Sequence, residues 1–347
     1  MMLAALPVAL WLAMQPAPTT AARAMQADVN RLVRAAQQLT ETWPTQPPPP
    51  VPEVALVARH GEPVTPMLLA LLSDSSNVEL DRRRWRVQQQ AALALTRIYS
   101  ESVHCGRVYC DGDAAERIAN IKKGWLRVIA KRVELRALSS RELLDHFKRA
   151  NPYDRPALAP LLAAKRDPDT IRELQPLLLV EDRHLRGSAA LVLGLSGDPR
   201  GFDTIAGILA DRSSRPPGVI GFGNWSLRAQ IRADRYHAAH LLGDLKDPRG
   251  VDLLLPLLND DDVADIVPWS LAEIGDRRVI GALIGQLAIA NPSRRVLAIH
   301  ALEHLNAGEA LPRLRELLQD IGRSNFAGGT TIAEAARHAI AVISQRR

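Results

Sequence analysis

Ala189-Ala190-Leu191-Val192-Leu193-Gly194-Leu195-Ser196-Gly197-Asp198-Pro199-Arg200 returns further along the chain as Ala238-Ala239-His240-Leu241-Leu242-Gly243-Asp244-Leu245-Lys246-Asp247-Pro248-Arg249. Weaker copies run from residue 269 to Arg278 and from residue 301 to Ala307, and an earlier one ends at Arg166-Asp167-Pro168. The anchors 167, 198, 247, 276 and 307 are separated by steps of 31, 49, 29 and 31 residues. Each step is one helical hairpin, the step of 49 carrying a single insertion of 18 residues over the step of 31. Asp caps a helix N-terminus and Pro suits its first position, so Asp-Pro opens a second helix where the first has closed. Gly197 and Gly275 fall where a left-handed turn ends the first helix. Gly194, Gly243 and Ala272 keep one side of that helix slim enough for close approach by a neighbour.

The second helix can be tested independently of the motif. Positions four, seven and eleven past the five anchors are Ile171/Leu174/Leu178, Phe202/Ile205/Leu209, Val251/Leu254/Leu258, Ile280/Leu283/Leu287 and Leu311/Leu314/Leu318. All are apolar at helical spacing, which predicts a buried stripe in every repeat. Composition agrees. The 347 residues are 47% hydrophobic but only 4% aromatic, favouring helices packed by small and branched side chains over a sheet. The expected fold is all-α, an α-solenoid of helical hairpins.

These residues resemble the HEAT repeat, in the short form of the phycobilisome lyases, whose pattern runs roughly A-A-x-A-L-G-x-x-G-D-P-x-A-V-x-x-L. The match is good over residues 157–343 and degenerate upstream, where residues 91–98 resemble a first helix and Gly61-Glu62-Pro63 with Leu69 an opening repeat. The resemblance implies stacked hairpins presenting a long surface to a partner. It says little about activity. The chain has no His-Glu dipeptide, which excludes the activity of the di-iron deoxyhypusine hydroxylases built from similar repeats.

The expected organisation starts with a signal peptide over 1–24, on an apolar run followed by Ala22-Arg23-Ala24, so that the mature chain begins at Met25. An N-terminal helix and a Pro-rich linker occupy 25–52. Degenerate basic repeats follow over 53–150, with a long helix over residues 114–138 and a Ser139–Glu142 capping box. The repeat array covers 151–347, with an inserted loop near 211–226. The net charge of +6 lies almost wholly in the first half: residues 25–150 hold 19 Lys and Arg against 14 Asp and Glu, and residues 151–347 hold 24 of each. An anionic surface would meet that half, including the runs at Arg82–Arg86 and Lys122, Lys123, Arg127, Lys131; nucleic acid is not expected, nor a membrane span in the mature chain.

Several constellations have two readings. Cys105 and Cys110 are close enough to form a disulfide in an exported protein; a metal site with His104 and Asp113 lacks the right spacing. His300-Ala301-Leu302-Glu303-His304 has the spacing of an inverted metallopeptidase motif, but it lies inside a repeat, with Glu303 in the slot of Gly194 and Gly243. Asp260, Asp261, Asp262 and Asp265 lack the rest of a calcium loop and suit a helix N-terminus. The inserted loop, with Phe222 and Trp225, packs either on its own array or on a ligand.

The repeat register predicts a contact surface. His240/Asp244, Trp269/Glu273 and His300/His304 occupy equivalent first-helix positions, with Tyr236 one turn earlier, so they should stack as a ridge. Trp269 is the expected anchor for a protein or peptide partner. On this reading the chain is a non-catalytic protein-binding scaffold of the bacterial envelope, periplasmic or secreted, with no catalytic residue, metal or cofactor. The alternative is an enzyme on a HEAT array, either bilin-lyase-like or a metal-dependent hydrolase using His300 and His304.

Overall fold

The computed structural model describes residues 19–39, 51–73, 86–99, 114–152, 154–213, 226–325 and 330–345. The described elements are helical, apart from an isolated bridge between Arg323 and Thr331. The protein is all-α, as the repeat predicts. It divides into two compact units, residues 1–128 and 129–347.

The first unit contains α1 (Thr20–Gln37), α2 (Pro52–Ala58), α3 (Thr65–Leu71) and α4 (Arg86–Tyr99), and α5 (Ala114–Ala137) contains the boundary. The helix expected from Met25 starts earlier. Thr19 caps α1 by accepting the Ala22 amide at 3.1 Å, and the helix runs through the expected cleavage point after Ala24. Val29, Leu32 and Ala36 of α1 are buried, and α1 packs on α2 and α4. Asp28 is buried beneath them and accepts from Arg59 at 3.1 Å and pairs with His60 at 2.9 Å. Burial pushes its pKa up, but the His60 and Arg59 bonds and the Arg31 charge outweigh that and hold it low.

The second unit opens with α6 (Ser140–Arg149), whose N-terminus is closed by the Ser139–Glu142 capping box. The hairpins follow. First helices are α7 (Arg155–Lys165), α9 (Arg183–Leu195), α11 (Leu227–Leu245), α13 (Val267–Ile274) and α15 (Pro292–His304). Their partners are α8 (Pro168–Leu174), α10 (Pro199–Ala210), α12 (Arg249–Leu254), α14 (Ile280–Gln286) and α16 (Leu311–Glu316). Helix α17 (Ile332–Gln345) packs on α15 and α16. Successive first helices touch from α7 to α17, so this unit is an α-solenoid.

Asp167, Asp198, Asp247 and Asp276 each accept the backbone amide two residues on, opening the second helix at four of the five anchors; the fifth, Ala307, has no side-chain cap. The residue before each anchor is left-handed in all five repeats. Gly197 and Gly275 supply that conformation without a side chain, while Arg166, Lys246 and Asn306 adopt it at φ 51°, 57° and 50°. Of the fifteen predicted apolar positions, Ile171, Leu178 and Leu318 are half-buried and the rest are buried. The slim side is used as expected. A methyl group on Gly243 would stand 2.8 Å from the Cα of Ser270 in α13.

A second periodic device was not anticipated. Arginines of the first helices, in the first turn of α7, α9 and α15 and further along the longer α11, reach aspartates beyond the second helix of the same repeat: Arg183–Asp211 at 2.7 Å, Arg235–Asp260 at 2.6 Å and Arg295–Asp320 at 2.6 Å, with a looser Arg155–Asp182 at 3.8 Å. Arg235 is 1% exposed and also binds Asp262 at 2.8 Å. The aspartates at 260 and 262, read above as complements to a helix dipole, instead neutralise this buried guanidinium.

Candidate functional site

The ridge residues lie on three consecutive first helices, and their meeting follows from the stacking of α11, α13 and α15. On α11, His240 Nδ1 pairs with Asp244 Oδ2 at 3.2 Å across one helical turn. On α13, Trp269 is 39% exposed, large for an indole on a packed helix. Its ring lies 5.2 Å, centroid to centroid, from that of His304 on α15, inclined by 56°. One turn on, Glu273 is 3.6 Å from His304 Nε2 and 3.2 Å from Lys246 Nζ, which lies in the turn closing α11. Glu273 thus lies between the turn closing α11 and helix α15, beside the Trp269–His304 ring contact.

The electrostatics follow from that centre. The Asp244 hydrogen bond favours the protonated imidazole of His240; burial opposes it, and the charges of Asp244 and Glu273 assist, so its pKa is raised. Tyr236, 40% exposed one turn earlier, has its hydroxyl pKa raised by burial and by Asp265, against the pull of Arg232. Asp265 itself pairs with Arg232 at 3.5 Å and Arg294 at 3.8 Å, which ties this end of the ridge into the fold. His300 is half-buried on α15.

Lys246 escaped the sequence reading. Its signal was available: it precedes an anchor, where the chain turns left-handed and the side chain is thrown outward beside the next first helix. Glu303 is buried at the repeat slot that Gly194 and Gly243 hold elsewhere. It is 1% exposed and faces α17, where His338 Nδ1 lies 2.8 Å from its carboxylate. It therefore faces away from the side of α15 that carries His304, and the metallopeptidase arrangement is not formed. Among the described residues no three His, Cys, Asp or Glu side chains converge to hold a metal ion. Phe222, Trp225, Cys105, Cys110, His104 and Asp113 lie outside the described residues, as do Arg82 to Arg84. Among the described residues no helix is long and apolar enough to cross a membrane.

The fold and this face define a class: an all-α protein of HEAT-like helical repeats with an aromatic and charged ridge on its first helices. No protein-family model matches the chain. Over 142 residues, 40% of its length, the chain is 32% identical to the bilin biosynthesis protein PecE of a Nostoc species. A similar stretch of 141 residues is 32% identical to PecE of Mastigocladus laminosus. The chain spans about half the length of these curated relatives, 52% and 48% respectively.

These matches correct two expectations. The chain was read as a non-catalytic scaffold and as a periplasmic or secreted envelope protein. The relatives are named for bilin biosynthesis, which supports the alternative, bilin-lyase-like reading and not an exported scaffold. The physical cause of the first error is that the repeat encodes packing, which binders and enzymes share. The second rested on an apolar N-terminal run with no Lys or Arg before it, and on a cleavage site that the structure places inside α1.

Proposed function

We propose that this chain handles a bilin, a linear tetrapyrrole, on the ridge of α11, α13 and α15, and acts with a pigment-bearing protein in bilin attachment. The observation that carries the reading is the sequence likeness to two bilin biosynthesis proteins. The chemistry of the ridge supports it. A bilin is a flat conjugated chain of four rings with N–H donors along one edge. Trp269 and His304 supply an aromatic face on which a pyrrole ring can stack. Asp244 and Glu273 are carboxylate acceptors for N–H groups, and such charge-assisted bonds are about twice as strong as neutral ones. Helices pack about 8–10 Å apart, so three first helices offer about 20 Å of continuous surface, enough for an extended four-ring chain.

The test is optical titration of the purified full chain with phycocyanobilin. Saturable binding with a shift and sharpening of the long-wavelength band is the expected result. Trp269→Ala, with helicity as a folding control, should weaken binding about tenfold, equivalent to about 1.4 kcal/mol. An unchanged spectrum of the pigment at saturating wild-type protein would overturn the reading. Undiminished binding by folded Trp269→Ala would remove it from this ridge.

A further inference from the structure

The cations of the ridge differ in what holds them. Along the edge where first helices turn into second helices, Arg200, Arg249 and Arg278 are each bonded to the capping aspartate of their own repeat, at 2.6, 2.6 and 2.8 Å. Lys246 is not. Its ammonium carries three donors, of which Glu273 takes one at 3.2 Å, and the side chain is 61% exposed. His240, 39% exposed, turns its Nδ1 toward Asp244, which leaves Nε2 as the ring nitrogen directed away from that carboxylate. Glu273 links the two: it contacts Lys246 and its charge acts on His240.

The cluster's net charge changes sign with the imidazoles. Asp244 and Glu273 contribute two negative charges and Lys246 one positive, so with His240 and His304 neutral the cluster is net negative. With both imidazoles protonated it is net positive. An anionic ligand group is then attracted in one state and repelled in the other.

Resting on the bilin reading of this ridge, we propose that Lys246 and His240 form a carboxylate subsite that takes a propionate of the tetrapyrrole and releases it as the imidazole loses its proton. The aromatic pair Trp269/His304 holds the ring beside it. Binding is then strongest below the raised pKa of His240 and weakens as pH rises through it. The propionates themselves stay ionised throughout, because carboxyls of this kind titrate at about pH 4–5, below the imidazole range.

Two ligands with one chromophore separate the outcomes: biliverdin and its dimethyl ester, titrated optically into the full chain at about pH 6 and about pH 9. The free acid should bind about tenfold more tightly at the lower pH, and the ester should bind weakly and without that dependence. Lys246→Gln and His240→Gln, both with unchanged helicity, should each bring the free acid down toward the ester while leaving the ester unmoved. Equal binding of acid and ester by the wild-type protein at both pH values would overturn the carboxylate subsite while sustaining the bilin reading. Failure of both ligands to bind would overturn both. Binding of the acid that rises with pH would show that Asp244 and Glu273 dominate and would equally refute the proposal.

Discussion

Two glycines on one helix should respond in opposite ways to the same substitution. Gly201 and Gly207 both lie within α10. A Cβ on Gly201 would stand 2.4 Å from the carbonyl oxygen of Ala190 and 2.4 Å from the amide nitrogen of Gly194, both backbone atoms of α9. No rotamer change relieves a clash with backbone, so α10 must move away by about 1 Å to restore contact distance. A gap of that size forfeits a quarter to a half of each dispersion contact along the helix pair. We expect Gly201→Ala to cost about 3 kcal/mol, at the upper end for overpacking. At about 2–4 °C per kcal/mol for a unit of this size, the melting midpoint falls by roughly 6–12 °C. Gly207 has nothing within 4 Å of the same Cβ position, so there alanine should gain helix propensity of about 0.5–1 kcal/mol. Urea and thermal unfolding followed at 222 nm measure both. A Gly201→Ala protein as stable as wild type, or more stable, would refute the close-approach argument for this hairpin.

Arg166 is exposed and left-handed, so Arg166→Gly should raise stability by about 1 kcal/mol, read as a higher urea midpoint; a decrease would mean that the turn is held by the arginine side chain. Arg235→Met should lower stability by about 3 kcal/mol, because it leaves Asp260 and Asp262 facing an apolar group. A neutral result in chemical denaturation would deny the arginine ladder any structural weight. The Asp198 and Asp247 carboxyls are held below the usual range, first by hydrogen bonds from Arg200 and Arg249. Their folded pKa lies below the unfolded one, so their contribution is present above about pH 4 and lost as pH falls through the folded values. The unfolding midpoint should fall below about pH 4; no decline by about pH 2 would contradict the assignment.

The hairpin array was legible because its causes are local. An Asp cap, a Pro at the first helical position and an apolar stripe at helical spacing act within one or two turns; the stripe recurs in five copies in register, the Asp in four and the Pro in three. The left-handed turn was legible at Gly197 and Gly275 but not at Arg166, Lys246 or Asn306, where the stacked hairpin imposes a conformation that the residue itself disfavours. The ridge was half legible. Register placed His240, Trp269 and His300 at one equivalent position and Asp244, Glu273 and His304 at another, but the approach of Trp269 to His304 and of Lys246 to Glu273 depends on how neighbouring repeats cross. The same holds for Glu303, whose spacing with His300 and His304 looks like a metal motif until α17 brings His338 to its far side. In the repeat array, sequence by itself determined which segments are helical and which face of the second helices is buried. Tertiary structure decided which polar groups meet, because those contacts join residues some 25 to 50 positions apart and are set by helix packing, to which no local hydrogen-bonding rule extends.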